Sequence, residues 1–271
     1  MKKYEFTGET MVYKNKTLRR IKRLSDGLVG GLIESEENLS QSGKCFVYHD
    51  AKVFGNAKVY NNAEVYNNAE VYNNAEVYGS AKVYGNAIVY GNAEVYGNAE
   101  VYGKAIMYNN AEVYDIAKVY GNARVYGSAR VYDNAEVYGY ASVHDSAIIC
   151  GKAIIYDNAE VYGYASVHGH ANVCGYADVC GYADVCGDAI ICGEDEIENG
   201  YIQVKYKDVQ THKNKSSRTV TALLTNDGWR FNIGCQALLT KEDFLDRIHN
   251  TDGGLSKNPH REFYLKVLSL Y

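Results

Sequence analysis

The sequence lacks two kinds of apolar segment. No stretch of apolar residues approaches the roughly 20 residues that a membrane-spanning helix needs. The first residues also lack the apolar core that a secretory signal peptide carries. We therefore expect a cytoplasmic protein that does not contact a membrane.

Motifs that carry catalysis are missing as well. The sequence contains no glycine-rich loop that would cradle a phosphate, no paired-carboxylate arrangement and no nucleophile elbow. Threonine is absent between Thr17 and Thr211, which disfavours the flat threonine arrays of an ice-binding solenoid. These absences predict a protein that is not an enzyme and that holds no cofactor.

The sequence does contain a long repeat. From Ala51 to Ala189 an alanine stands at every sixth position, 24 times without an insertion. Val, Ile or Met stands two residues after each alanine, and 14 unbroken tyrosines follow the aliphatic residue from Tyr60 to Tyr138. This alternation is typical of short strands with two unlike faces. It predicts a stack that turns Ala and the aliphatic residue inward, and the charged residue and Tyr outward.

The position after the tyrosine predicts where each strand ends. From Gly55 to Gly187 all 23 of these positions hold Gly, Asn or Asp. These residues adopt positive φ at low cost, so a bend is expected every six residues. A helix is disfavoured because its period is 3.6 residues.

The charges favour 18 residues per coil. At that spacing Glu64, Lys82, Glu100, Lys118 and Glu136 form a column of alternating sign, with neighbours about 4.8 Å apart. A two-sided coil of 12 residues stays open as the alternative.

The unit resembles the hexapeptide repeat of left-handed parallel β-helices. In that family an aliphatic residue such as Val83 is followed four places later by a small residue such as Ala87. The resemblance covers residues 47–193 and implies a left-handed, three-sided solenoid of about eight coils. Residues 1–46 lack the period, and we expect a small β cap there with a turn at Gly30 and Gly31.

Residues 194–271 predict an α+β region. One helix is expected after a cap at Thr240, with Phe244, Leu245 and Ile248 on one face, and a second helix from Pro259. The expected strands cover residues 201–206, 218–225 and 229–235.

The flanks carry a second resemblance. The segments GGLIESEENLS at Gly30, SRTVT at Ser217, DGWRFNIGC at Asp227 and KEDFL at Lys241 are similar to the flanks of a family of bacteriophage and prophage repeat proteins. That family consists mostly of hypothetical proteins. The resemblance therefore implies a phage origin and a location in the host bacterial cell, rather than an activity.

Five of the seven cysteines replace the outward tyrosine late in the repeat: Cys150, Cys174, Cys180, Cys186 and Cys192. With 18 residues per coil, Cys174 stacks on Cys192, and His168 lies between Cys150 and Cys186 in one column. Parallel side chains about 4.8 Å apart do not converge as zinc ligands do, so we predict no metal site. Reduced, half-buried thiols are expected in a cytosolic protein.

Departures from the repeat mark the candidate binding surface. From Tyr140 onward His, Cys and extra Tyr appear at outward and corner positions, and basic residues are absent from Ala153 to Val204. This predicts an acidic, aromatic surface that suits a basic partner or a second copy of the chain. Its candidate residues are Tyr140, His144, Tyr164, His168, His170, Tyr176, Asp178 and Tyr182.

Positive charge is concentrated at the start of the chain. Residues 1–24 hold eight Lys or Arg against two Glu. Such a run can contact phosphates, but a solvated strand face explains it as well, and we favour the strand face over nucleic-acid binding.

These features predict a phage- or prophage-derived β-solenoid that binds a host protein, inhibits a host defence system and forms a homo-oligomer. Two alternatives stay open: a virion-associated structural or adhesive component, and an acyltransferase of the hexapeptide class. Such acyltransferases use a histidine base and a loop that projects from the coils. No loop interrupts the repeat between Ala51 and Ala189.

Overall fold

The protein is a parallel β-solenoid with an N-terminal hairpin and a C-terminal α+β region in the computed structural model. The structure describes residues 2–187 and 189–192, and after them residues 196–197, 203–204, 209–213, 219–225, 228–233, 236–249 and 261–270.

Two-residue strands recur along the solenoid and sort into three parallel sheets, each with nine of these strands. Within the repeat, a strand pairs with the strand three repeats later, as in Glu64↔Lys82 and Val77↔Val95. The three-sided coil is therefore confirmed, and the two-sided alternative is wrong. The stack has nine coils rather than eight because strands at 46–47, 196–197 and 203–204 pair onto its ends, outside the alanine repeat.

We call the three sheets faces 1, 2 and 3. The solenoid strands of face 1 are Lys52–Val53, Glu70–Val71, Ile88–Val89, Ile106–Met107, Arg124–Val125, Ser142–Val143, Glu160–Val161, Asp178–Val179 and Glu196–Ile197. Those of face 2 are Phe46–Val47, Glu64–Val65, Lys82–Val83, Glu100–Val101, Lys118–Val119, Glu136–Val137, Ile154–Ile155, Asn172–Val173 and Ile190–Ile191. Those of face 3 are Lys58–Val59, Glu76–Val77, Glu94–Val95, Glu112–Val113, Arg130–Val131, Ile148–Ile149, Ser166–Val167, Asp184–Val185 and Gln203–Val204.

Small and β-branched side chains fill the inside of the prism. The repeat alanines from Ala51 to Ala177 and the inward aliphatic residues from Val53 to Val185 are fully buried. Burying one such valine contributes about 1.5–3 kcal/mol. Because each coil contacts only its neighbours, the stability of the stack is close to a sum of local terms.

The corners have the predicted backbone. All 23 positions from Gly55 to Gly187 have φ between 57° and 75°. Gly, Asn and Asp are the residues that tolerate this left-handed conformation, which explains their monopoly at the corner.

An antiparallel hairpin covers the first end of the stack. Strand β1 (Tyr4–Tyr13) pairs with β2 (Lys16–Arg23), and β2 pairs with β3 (Val29–Ile33). Strand β3 joins face 1 in parallel beside Lys52–Val53. The predicted small β cap is therefore confirmed.

Gly30 and Gly31 do not form the predicted turn, because they lie inside β3. A Cβ atom on Gly30 would lie 2.6 Å from the carbonyl oxygen of Val47, and one on Gly31 would lie 2.6 Å from that of Ala51. The two glycines are required by the close approach of this strand to the first coil, not by a turn.

The C-terminal region contains an antiparallel sheet of four strands, Val209–Lys213, Thr219–Thr225, Gly228–Ile233 and Gln236–Leu239, followed by α1 (Lys241–His249) and α2 (Arg261–Leu268). Thr240 caps α1 as predicted, since its Oγ1 accepts a hydrogen bond from Asp243 N at 3.0 Å.

Phe244 and Ile248 of α1 are buried, but Leu245 is exposed, so its predicted place on their face is wrong. One residue beyond Phe244 is a rotation of about 100° around the helix. Pro259, Cys235 and much of the strand predicted at 201–206 lie outside the described residues.

Candidate binding surface

Tyrosines form ladders along the outside of all three faces. Rings one coil apart stack nearly parallel, with centroids 4.7 Å apart for Tyr66 and Tyr84 and 5.2 Å apart for Tyr90 and Tyr108. Each stacked pair contributes about 0.5–1.5 kcal/mol beyond burial. The ladders therefore stabilise the stack along its whole length.

The ladders are also tied to acids of the next coil. A tyrosine hydroxyl donates to the carboxylate 16 residues later, because that acid lies just before the stacked ring on the same outward side of the strand. Burial and then this hydrogen bond raise the pKa of Tyr78 above its ordinary range. The distances are 2.8–3.2 Å in the pairs Tyr48–Glu64, Tyr60–Glu76, Tyr78–Glu94, Tyr84–Glu100, Tyr96–Glu112 and Tyr120–Glu136.

His144 and His168 occupy tyrosine positions in these ladders. His144 stacks between Tyr126 and Tyr162, at 4.6 Å and 5.1 Å between centroids, and its Nε2 lies 2.7 Å from Glu160 Oε1. His168 Nε2 lies 2.9 Å from Asp184 Oδ1. Both contacts repeat the ring-to-acid spacing of the tyrosines, so the two histidines serve as rungs of the ladders.

Six of the eight candidate residues lie on face 1 or on its two borders. His144 and Asp178 belong to face 1. Tyr140 and Tyr176 lie at the corner between faces 2 and 1, and Tyr164 and Tyr182 lie at the corner between faces 1 and 3. The other two are separate from face 1: His168 belongs to face 3, and His170 lies at the corner between faces 3 and 2.

We call the four corner tyrosines, Tyr140, Tyr164, Tyr176 and Tyr182, the tyrosine rim. They are 69%, 64%, 68% and 69% exposed, respectively. Tyr164 and Tyr182 stack on each other with centroids 5.2 Å apart. Earlier coils carry hydrogen-bonded amides in the column of Tyr164, with contacts of 2.9–3.0 Å along Asn56, Asn74, Asn92 and Asn110.

Between the two sides of the rim, face 1 is acidic. Glu160 and Asp178 lie side by side on adjacent strands. The hydrogen bond with the Cys180 thiol, then burial, then the charges of Cys180, Asp178 and Glu160 raise the pKa of Tyr162. Since the sequence has no Lys or Arg from Ala153 to Val204, this acidic charge is not compensated by basic residues of the same coils.

The cysteines correct one prediction. Cys174 and Cys192 stack as expected, but they form a disulfide with Cα atoms 4.6 Å apart, so reduced thiols are wrong for this pair. Cys45 and Cys150 carry free thiols. Within the described residues, no group of three or more His, Cys, Asp or Glu side chains is arranged to hold a metal ion.

The basic N-terminal segment is compensated inside the chain. Lys16 Nζ lies 2.9 Å from Glu34 Oε1, Arg20 contacts Glu9 at 2.8 Å, and Arg23 contacts Asp26 at 2.5 Å. Paired side chains offer less charge to a phosphate backbone, which does not favour a nucleic-acid contact.

The tip of the β1–β2 hairpin also folds onto face 1, where Lys14 Nζ lies 2.8 Å from Glu70 Oε2 and 4.2 Å from the centre of the Tyr72 ring. The neighbouring Tyr13 hydroxyl donates a hydrogen bond to Glu70 Oε1, and the Tyr13 ring packs edge-on against Phe54. Face 1 therefore already holds one basic side chain between an acid and stacked rings.

Part of the chain is similar to a known repeat. A family model described as the YdcK beta solenoid repeat matches residues 117–133 and 129–145. The match agrees with the solenoid, and its last residues include Tyr140 and His144. No curated protein matches the chain. Among the residues described, no helix has the length and apolarity to cross a membrane.

Sequence reasoning missed Glu160 and Tyr162, which complete the surroundings of His144, and the set formed by Phe54, Glu70 and Tyr72. The spacing of 16 residues between a ring and an acid would have found them, because it recurs in every tyrosine–glutamate contact.

Proposed function

We propose that this chain is a phage- or prophage-derived, non-enzymatic β-solenoid that binds a host protein in the bacterial cytoplasm and thereby inhibits a host defence system. The observation that carries the proposal is the gathering of the tyrosine rim around the acidic end of face 1. Exposed aromatic side chains are the residues most enriched at the centres of protein interfaces. A scaffold alone needs no such rings, since earlier coils form the same corners with asparagine.

The histidines support a binding role over catalysis. Each is engaged with a carboxylate as a ladder tyrosine would be. Both are thereby accounted for by the architecture of the repeat.

Capture of a partner from lysate of infected host cells tests the proposal. Changing the four rim residues to the repeat residue, as Tyr140→Asn, Tyr164→Asn, Tyr176→Asn and Tyr182→Asn, should lower capture by at least about tenfold, since buried tyrosines are common hot spots. Asn122 and Asn110 already occupy these corner columns, so the fold should survive.

The matched control changes earlier corners of the same columns, Asn86→Ser, Asn92→Ser, Asn110→Ser and Asn122→Ser, and should keep full capture. Circular dichroism and thermal melting verify folding in both variants. Unchanged capture by the rim variant, with loss on charge reversal of Arg19, Arg20 and Arg23, would move the binding surface to the hairpin end. Copurification with phage particles would favour a virion component.

A further inference from the structure

Face 1 carries two sets of the same three positions, in which an acid lies between two stacked rings. The first set is Phe54, Glu70 and Tyr72, with ring centroids 4.9 Å apart. The second set is His144, Glu160 and Tyr162, five coils further on, with centroids 5.1 Å apart. On this face the acid position between these sets is held by Ile88, Ile106, Arg124 and Ser142, so no other full set occurs before Glu160.

The first set is filled by the hairpin tip. Its ligand is the Lys14 ammonium, held by an ion pair with Glu70 and placed over the Tyr72 ring. A cation over an aromatic face contributes about 0.5–1 kcal/mol at an exposed site, in addition to the ion pair. Although burial alone lowers the pKa of Lys14, the hydrogen bond and charge of Glu70 raise it above its ordinary value, which keeps this side chain charged.

The second set has the same chemistry and a wider frame. His144 engages Oε1 of Glu160, and the Glu160 side chain remains 42% exposed. Asp178 on the next strand adds a second acid, and the tyrosine rim borders both sides. The ion pairs of the described residues place His144, and no lysine or arginine, against Glu160.

We propose that the His144–Glu160–Tyr162 set binds a lysine or arginine side chain carried on a hairpin or tight loop of the partner protein, in the way that the first set binds Lys14. This inference rests on the proposed function and adds the chemistry of the partner segment to it. The acid receives the cation, the Tyr162 ring lies beneath it, and the rim tyrosines pack against the apolar flanks of the loop. The charge complementarity is supplied by an acidic stretch without basic residues.

A peptide copy of the chain's own hairpin tip is the probe. Residues Met11–Leu18, cyclised through added terminal cysteines and labelled with a fluorophore, are titrated into the full-length protein. We expect binding that weakens as salt is added, because the contact includes an exposed ion pair. The protein variant Glu160→Gln should bind about fivefold to tenfold less tightly, since it loses the ion pair but keeps its shape.

Two controls are matched to this test. Glu94→Gln removes the acid from a ring–acid–ring set on face 3 that has no exposed tyrosines at its corners, and it should leave peptide affinity unchanged. A peptide with Lys14→Met should bind as weakly to the wild-type protein as the original peptide binds to Glu160→Gln.

The inference is overturned if the peptide does not bind the wild-type protein, if Glu160→Gln binds it as tightly, or if Glu94→Gln weakens it equally. These outcomes are separate from the lysate experiment. Loss of capture in the rim variant with unaltered peptide binding in Glu160→Gln would keep the proposed function and reject this ligand. Specific peptide binding without any captured host protein would do the reverse.

Discussion

Val95 shows how much a single inward position contributes to this fold. It is fully buried and pairs with Val77 and Val113 in the coils on either side. Tyr96 follows it in sequence but stands in the outer ladder, stacked on Tyr78 and Tyr114. Adjacent residues of one strand therefore have different costs of substitution.

We expect Val95→Asp to unfold or truncate the solenoid, because it places an unpaired charge in an apolar core at a cost above about 4 kcal/mol. Tyr96→Ser loses two ring contacts and should cost about 1–3 kcal/mol. Urea denaturation followed by circular dichroism measures both. Equal losses in the two variants would mean that the inward and outward sides are assigned wrongly.

At the scale of the strand column, the ladders reconcile charges that would otherwise repel. Glu76, Glu94 and Glu112 follow one another on adjacent strands of face 3. Each accepts a hydrogen bond from a tyrosine hydroxyl, and Lys58 lies 3.5 Å from Glu76. Hydrogen bonds to charged groups are stronger than neutral ones, so a column of like charge is tolerated here.

These ladders predict sensitivity to alkali. Burial, and then the hydrogen bond to glutamate, raise the pKa of Tyr60, Tyr78 and Tyr84 above the ordinary value of about 10. The unfolded chain therefore loses phenolic protons at a lower pH than the folded chain. This stabilising effect is complete below about pH 10 and disappears as the pH rises through the higher pKa of the folded state.

The triple variant Tyr60→Phe, Tyr78→Phe and Tyr84→Phe tests this effect. At neutral pH it should lose about 0.5–1.5 kcal/mol for each hydrogen bond removed. Between neutral pH and about pH 11 its unfolding free energy should fall less than that of the wild type. Urea denaturation at several pH values, with tyrosinate absorbance as the titration signal, measures the difference. Parallel pH profiles of the two proteins would contradict the raised pKa values.

At the scale of the whole molecule, the Cys174–Cys192 disulfide joins the last coils of face 2 across 18 residues. Closing a loop of this length is worth about 3 kcal/mol. Reduction of the purified protein should therefore increase amide exchange near Cys186 and leave the coils around Val95 unchanged. Cys174→Ser without reductant should match the reduced wild type. A reductant that also destabilised Cys174→Ser would exclude this bond as the cause. In the host cytoplasm, where disulfides are rare, this bond would be the first to open.

The sequence predicts the solenoid well because its signal is repeated in every coil, and an error at one corner is corrected by the next. Alternation assigned Val95 inward, and the column of Glu64 and Lys82 predicted the coil length that the pairing shows. The end of the stack was less predictable: Gly30 and Gly31 look like a turn, and only the nearby carbonyls of Val47 and Ala51 explain them. Lys14 was also beyond reach, since nothing local indicates that a hairpin tip lies over Glu70.

The three-sided coil also sets the direction in which each part of the chain looks. Glu70 and Glu160 share one side because a whole number of coils separates them. An insertion or deletion of one coil would lengthen or shorten the rod and keep the hairpin and the tyrosine rim aligned. A change of one six-residue unit would preserve the Ala, Val, Tyr and Gly pattern, yet it would rotate everything beyond it by a third of a turn. Length and orientation can therefore vary separately in such a rod, and a duplicated unit could redirect its binding surface without disturbing the core.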